Sequence, residues 1–243
     1  MLKDLLGAGI LLAYYLIFCA LLPTLLRVWT GAPKESIRKL QHVAYSLSIF
    51  LLLHLFSTWY MAVAAAALLV LLAYPVLLLI EKTPRYRKLF VDRSSRGGEL
   101  RKQLIYVQLS FAILIFIYWG LLGTRWHYIA AVSVMAWGFG DAAAALVGKA
   151  FGRRRVLHRL IEGSKTYEGM GAMMLAAGLA VFFTLLLYAG KPWYISLPVS
   201  FMAASVCGVI ELFSRKGMDT LTVPFSAAAI IFPFMYLFSL LGW

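Results

Sequence analysis

The stretch at residues 60–80, YMAVAAAALLVLLAYPVLLLI, decides the fold, because it runs from end to end without a charged side chain. A membrane-spanning helix needs about 20 predominantly apolar residues. The whole chain shares this character: its 243 residues are 63% hydrophobic and 14% charged, with a mean hydropathy of +0.84. Soluble domains average about 25% charged residues. The composition therefore excludes a soluble enzyme, a coiled coil and a disordered chain, and predicts a polytopic membrane protein.

Similar apolar runs recur along the chain and predict an all-α bundle of about eight transmembrane helices. A single helix over residues 43–80 would be about 57 Å long against a hydrocarbon core of about 30 Å. We therefore expect a turn at Ser57, Thr58 and Trp59. We expect one integral-membrane catalytic domain over residues 1–243, with its motifs between about 35 and 225 and an additional helix within 1–30. The predicted spans are roughly residues 5–26, 43–56, 60–80, 104–122, 128–147, 170–188, 195–213 and 221–241.

The basic residues predict the orientation of these spans. The chain has 23 Lys and Arg against 10 Asp and Glu, a formal charge of +13. With eight spans, the loops at 27–42, 81–103, 148–169 and 214–220 share one side and hold 20 of the 23. Cytoplasmic loops of membrane proteins are enriched in Lys and Arg. We therefore expect these loops in the cytoplasm and both termini outside it. We interpret residues 81–103 as a solvated connector. We do not expect nucleic acid as a partner, because the sequence contains no separate soluble domain that would bind it.

Residues 137–155, WGFGDAAAALVGKAFGRRR, carry an acidic side chain inside a predicted span. On a helix, Asp141, Ala144, Ala145, Gly148 and Gly152 share one face. A stripe of Ala and Gly is also typical of a packing seam between membrane helices, but a seam does not explain Asp141. An ionisable group inside a membrane needs a partner and marks a functional position by default. We expect the tail of a lipid substrate to lie near this stripe.

Residues 162–171, EGSKTYEGMG, begin the next predicted span. Thr166 is a candidate N-cap and Glu168 would lie near the positive end of the helix dipole. The same segment also predicts a phosphate-binding cradle, formed by Lys165, the Thr166 hydroxyl and the backbone N–H groups of the helix N-terminus. The spacing of its glycines and lysine is not that of a Walker A loop.

A third cluster, Glu211 and Asp219, lies on the same predicted side of the membrane. Asp219 could instead cap the last helix. Mg²⁺ is commonly held by one or two carboxylates together with substrate phosphates. Acidic groups beside many Lys and Arg side chains predict a nucleotide and metal site for phosphoryl transfer.

Five ordered motifs resemble the family of membrane lipid kinases that includes dolichol kinase, phytol kinase and the CTP-dependent diacylglycerol kinases. They run in order along residues 35–225. The motifs are Arg38-Lys39-x-x-His42, Gly140-Asp141, Gly148-Lys149-x-Phe151-Gly152, Lys165-Thr166-x-Glu168-Gly169 and Gly217-x-Asp219-x-Leu221-Thr222-Val223-Pro224.

This resemblance implies a Mg²⁺-dependent kinase that transfers the γ-phosphate of CTP, or of ATP, to a polyprenol, a phytol-like alcohol or a diacylglycerol. Asp141, Lys165 and Glu168 are then the catalytic candidates. Asp141, Asp219, Glu168 and Glu211 are the metal candidates. The nucleotide-binding candidates are Arg38, Lys39, His42, Gly148, Lys149, Gly152, Arg153, Thr166, Gly169 and Thr222.

Three alternatives remain open from the sequence. The first half of the motif set is also similar to the phosphatidate cytidylyltransferases, which would make a CDP-lipid. An ion-coupled transporter could use Asp141 and Glu211 as a relay. Arg38, Lys39 and His42 could be an interfacial anchor. The sequence also leaves open whether the chain forms a homo-oligomer.

Overall fold

The computed structural model describes residues 2–83, 98–159, 161, 165–214 and 217–242. Within these residues the secondary structure is helical, apart from turns and an isolated antiparallel bridge between Arg155 and Thr166. Eight long helices follow one another along the described chain. They are α1 (Leu2–Thr30), α2 (Lys34–Leu55), α3 (Trp59–Glu81), α4 (Glu99–Leu121), α5 (Tyr128–Phe151), α6 (Tyr167–Tyr188), α7 (Trp193–Phe213) and α8 (Asp219–Leu240).

The all-α membrane fold predicted from the sequence is confirmed. Seven helices of the described chain are long and apolar enough to cross a membrane. The helix outside that set is α2, because its first turns carry charged and polar side chains and only its second half is apolar. The side of the membrane on which the two termini lie stays a prediction from loop charge.

The predicted turn between the second and third spans is present. Helix α2 ends at Leu55, and α3 begins at Trp59. Asp4 of α1 fixes this turn, because its carboxylate accepts hydrogen bonds from the Ser57 backbone N–H at 2.9 Å and from the Ser57 hydroxyl at 2.7 Å. The N-terminal helix is thereby joined to the rest of the bundle at the end remote from the predicted basic loops.

Helix α5 is the centre of the bundle, and it packs against α2, α6 and α8. Two glycines permit these contacts. A Cβ on Gly138 would lie 2.2 Å from the Ser46 Cβ of α2, and a Cβ on Gly140 would lie 2.5 Å from the Met173 sulfur of α6. Close backbone approach through small residues is the usual way in which membrane helices associate.

Polar side chains join α1, α2 and α4 inside the bundle. The Tyr15 hydroxyl lies 2.8 Å from the Ser48 hydroxyl, and the Gln108 amide donates to Tyr15. Gln41 donates to the Cys19 carbonyl at 2.9 Å, within a π-helical stretch of α1. These hydrogen bonds satisfy groups that would be costly to leave unpaired in an apolar environment.

The fold brings six helix ends together at one end of the bundle. Helices α2, α4, α6 and α8 begin there, and α5 and α7 end there. Five of the six carry a motif that the sequence predicts to be functional, and α4 is the exception.

Candidate active site

A charged cavity of about 940 Å³ lies between these six helix ends. Its wall in the described chain combines acidic and basic side chains with small residues of α5. Asp141, at 4% exposure, is the most deeply placed carboxylate in this wall. The charged lining residues are Glu35, Arg38, Lys39, Glu99, Lys102, Asp141, Lys149, Lys165, Glu211 and Asp219.

Asp141 lies against two side chains of α2. The Lys39 ammonium is 2.5 Å and the His42 Nδ1 is 2.7 Å from the same carboxylate oxygen, Oδ2. Lys39 and His42 are three residues apart on a helix, so both side chains face the same neighbour. Arg38 pairs with Glu35 and lies 3.4 Å from the other ring nitrogen of His42.

These contacts change the interpretation of the α2 motif. Arg38, Lys39 and His42 are each at most 6% exposed. Side chains that anchor a helix at the interface keep their charged ends in water, so burial excludes simple anchoring for these three. The motif forms part of the cavity wall instead.

Asp219 supplies a second carboxyl group beside Asp141. It is the first residue of α8, and the helix has no side-chain cap, so capping does not account for it. Its carboxyl group lines the same cavity as Asp141, Lys39 and Lys165 and interacts electrostatically with all three. Two carboxylates that share a buried site repel each other unless a proton or a cation lies between them.

This pair fits the needs of a magnesium ion. Mg²⁺ is commonly bound through one or two carboxylates, with phosphates and water completing its coordination. No three His, Cys, Asp or Glu side chains gather closely enough for a metal ion within the described ranges. The predicted shell of four carboxylates is therefore absent there, and Asp141 with Asp219 is the pair that remains.

Lys165 reaches the cavity from the loop before α6. That loop is held by two backbone hydrogen bonds, from Val156 N–H to the Lys165 carbonyl at 3.0 Å and from Tyr167 N–H to the Arg154 carbonyl at 3.1 Å. The Lys165 ammonium pairs with the Glu211 carboxylate and donates to the Glu211 carbonyl at 3.1 Å. The intramembrane Glu211 therefore has the partner that its position requires.

Thr166 is the N-cap of α6, as predicted, and its hydroxyl accepts the Gly169 N–H at 3.1 Å. The cradle of free N–H groups is not formed in the way the sequence suggested. The Tyr167 N–H is already bonded to the Arg154 carbonyl, and the Gly169 N–H is bonded to the Thr166 hydroxyl. Side chains, rather than these amides, are available to bind an anion.

Glu168 lies outside the cavity wall. Its carboxylate accepts the Arg154 backbone N–H at 3.2 and 3.3 Å, at the surface of the bundle. It thus anchors the basic loop to the start of α6, away from Asp141 and Asp219.

Three other predicted nucleotide-binding residues also lie outside the wall. Arg153 is exposed, and the Thr222 hydroxyl lies 2.6 Å from the Ser214 hydroxyl. Gly152 packs against Thr166, where a Cβ would come within 2.7 Å of the Thr166 methyl group. The remaining candidates, Arg38, Lys39, His42, Gly148, Lys149, Thr166 and Gly169, line the cavity.

The start of α4 is a part of the site that the sequence did not predict. Of the connector expected over residues 81–103, positions 84–97 lie outside the described residues, and the chain is helical from Glu99 onward. Lys102, Gln103 and Tyr106 line the cavity. The amide nitrogen of Gln103 is buried without a hydrogen-bond partner within the described ranges. The sequence does contain a signal for this part of the site: Glu99, Lys102 and Tyr106 are spaced three and four residues apart, which places them on one face of a helix.

The fold and the cavity define a polytopic helical membrane protein with a buried, charged site at one end of its bundle. The chain is 31% identical over 232 residues to a phytol kinase from Synechocystis sp., an alignment that covers 93% of this chain and 91% of the relative. No family model matches the chain, and no solved structure matches it.

The chain therefore belongs to the phytol kinase family of membrane lipid kinases. This membership supports a phosphotransferase that acts on a lipid alcohol, and it agrees with the resemblance inferred from the five motifs.

Proposed function

We propose that this protein transfers the γ-phosphate of CTP to a long-chain lipid alcohol of the phytol or polyprenol type, at the cytoplasmic face of a membrane. The observation that carries the proposal is the cavity whose wall holds Asp141 and Asp219 together with Lys39 and Lys165. Phosphoryl transfer needs this mixture of cations to neutralise the phosphates and carboxylates to position the metal and the nucleophile.

The triphosphate binds in the basic part of the cavity. The wall that holds the two carboxylates also holds Lys39, Lys102, Lys149 and Lys165. In this structure Lys39 and Lys165 are paired with Asp141 and Glu211. Phosphate oxygens are strong acceptors for such cations, so nucleotide binding draws both ammonium groups partly away from their carboxylates.

The chemistry is an in-line displacement at the γ-phosphorus. The acceptor oxygen forms a bond to phosphorus as the bond to the bridging oxygen of the nucleoside diphosphate breaks. The hydroxyl proton passes to a carboxylate of the Asp141 and Asp219 pair. Asp141 and Asp219 would hold a Mg²⁺ ion, which would neutralise phosphate charge.

The location of the cavity suits substrates of unlike polarity. It lies at the end of the bundle where α2, α4, α6 and α8 begin, and the Lys and Arg content of the sequence next to these helix ends predicts that this end is cytoplasmic. CTP reaches it from water, and the alcohol reaches it from the bilayer. An integral-membrane kinase can therefore join a soluble donor and a lipid acceptor at one boundary.

The test is a transfer assay with purified protein, Mg²⁺ and γ-labelled CTP or ATP. Phytol, a polyprenol and a diacylglycerol are supplied separately in mixed micelles. We expect label to enter the organic phase with CTP and a prenyl alcohol, and chelation of Mg²⁺ with EDTA to abolish the transfer. A wild-type protein that labels no lipid alcohol with either nucleotide would contradict the proposal.

The same assay separates the two rival functions. With phosphatidate added as the acceptor, a cytidylyltransferase would move label from α-labelled CTP into lipid and release pyrophosphate, whereas the proposed kinase leaves the α-phosphate in water. A transporter would move ions across a vesicle membrane without consuming nucleotide.

A further inference from the structure

The predicted place for the lipid tail, beside the Ala and Gly stripe of α5, is divided between the polar wall of the charged cavity, which Ala144 and Ala145 line, and a contact with another helix. A Cβ on Gly148 would lie 3.1 Å from the Thr166 hydroxyl and 3.4 Å from the Gly169 Cα. This part of the stripe is therefore a packing seam with the start of α6. A hydrocarbon chain needs another route between the bilayer and the carboxylate pair.

A second recess, which we call the α7–α8 groove, offers that route. It has a volume of about 540 Å³ and lies between the end of α7 and the first turns of α8. Phe213 and Met218 at its edge are 44% and 43% exposed, so the groove opens on the outer face of the bundle. Its wall consists of Ile210, Phe213, Ser214, Met218, Leu221, Thr222, Phe225 and Ser226.

The groove adjoins the charged cavity. Ser214 lines both recesses, and its hydroxyl lies 2.6 Å from the Thr222 hydroxyl. The Ser214 and Thr222 hydroxyl groups therefore lie at the wall between the charged cavity and the α7–α8 groove. The first turn of α8 divides its residues between them, with Asp219 and Thr220 in the cavity and Leu221 and Thr222 in the groove.

We propose that the α7–α8 groove holds the hydrocarbon chain of the acceptor alcohol, and that Ser214 and Thr222 mark the passage of its hydroxyl toward Asp219. This inference rests on the proposed function. An apolar wall that opens on the outer face can pack against a hydrocarbon chain by van der Waals contact, as helices pack within a bilayer. The polar cavity next to it suits only the hydroxyl end of the same molecule.

This placement gives Thr222 a role that differs from its predicted one. Thr222 lines the groove and is not a lining residue of the nucleotide cavity, and its hydroxyl bonds to Ser214 and to the Met218 carbonyl at 3.0 Å. Thr222 is then part of the acceptor passage and not a nucleotide ligand.

The test fills the groove with a bulky side chain. Ser226→Trp places an indole in the wall, and Ser239→Trp is the matched control near the other end of α8. Both serines donate a hydroxyl hydrogen bond to a carbonyl of their own helix, at 2.7 and 2.8 Å. An indole that displaces part of a bound chain removes its van der Waals contacts with the wall, and a loss of about 1.4 kcal/mol lowers affinity about tenfold.

We expect Ser226→Trp to raise the KM for a long-chain prenol about tenfold. The KM for the nucleotide and the KM for a short-chain prenol should not change. Ser239→Trp should leave all three values as in the wild type. Equal long-chain KM values in the two variants would overturn the inference, whereas an inactive wild type would instead contradict the proposed function.

A second measurement does not depend on the folding of a variant. A phytol analogue with a diazirine at the end of its chain is photolysed with the wild-type protein, and the labelled peptides are identified. We expect the label in residues 210–226. Label confined to α5 and α6 would overturn the proposed groove.

Discussion

Single residues of this protein are positioned by partners that lie far away in the sequence. Asp141 contacts Lys39, 102 residues earlier, and Lys165 contacts Glu211, 46 residues later. The sequence indicated that Asp141 and Glu211 need partners, because buried charges are costly alone. It did not identify which cation meets which carboxylate, since helical spacing relates only residues within a few turns.

The Lys165 side chain is expected to bind a phosphate of the nucleotide. Replacing it with methionine removes a phosphate-binding cation, and we expect kcat/KM for the nucleotide to fall at least about tenfold, because charge-assisted hydrogen bonds contribute about 1.5–3 kcal/mol. Steady-state kinetics on the folded fraction measures this loss. The matched control is Lys191→Met, whose ammonium lies over the Tyr128 ring at the other end of the bundle. Equal nucleotide kinetics in the two variants would remove Lys165 from the phosphate site.

The helices themselves were largely predictable, and their ends were less so. Apolar runs located every long helix, and the turn at Ser57 followed from length alone. Helices α2 and α4 begin earlier than the apolar runs suggested, at Lys34 and Glu99. Their first turns are polar because they line a cavity within the bundle, and a hydropathy pattern does not distinguish a polar cavity wall from a solvated loop.

The contact between α5 and α2 yields a prediction about stability. Gly138→Ala would place a methyl group 2.2 Å from the Ser46 Cβ, and overpacking of this kind costs about 1–3 kcal/mol. We expect a lower free energy of unfolding in detergent. Gly171→Ala in α6 is the control, because no heavy atom lies within 4 Å of the added Cβ and alanine is the better helix former by up to about 1 kcal/mol. A Gly138→Ala variant as stable as Gly171→Ala would contradict the close approach.

At the scale of the whole molecule, the bundle collects its functional ends on one side, and loop charge predicts that this side is cytoplasmic. Cysteine substitutions test the orientation, since the native Cys19 and Cys207 are buried. A membrane-impermeant maleimide added to intact cells should label Arg125→Cys, and it should label Arg153→Cys only after permeabilisation. The reverse pattern would place the cavity on the outer face and contradict CTP as a cytoplasmic donor.

The most direct measurement is a double-mutant cycle on the two carboxylates, because they come from distant helices and are proposed to act as one site. We expect Asp141→Asn and Asp219→Asn each to lower kcat for lipid phosphorylation at least about a hundredfold. Groups that act as a unit give non-additive losses, so the double variant should lose little more than the worse single variant. Asp4→Asn, at the opposite end of the bundle, should keep its kcat. Losses that multiply in the double variant, or an Asp141→Asn protein with the wild-type kcat, would contradict a shared site.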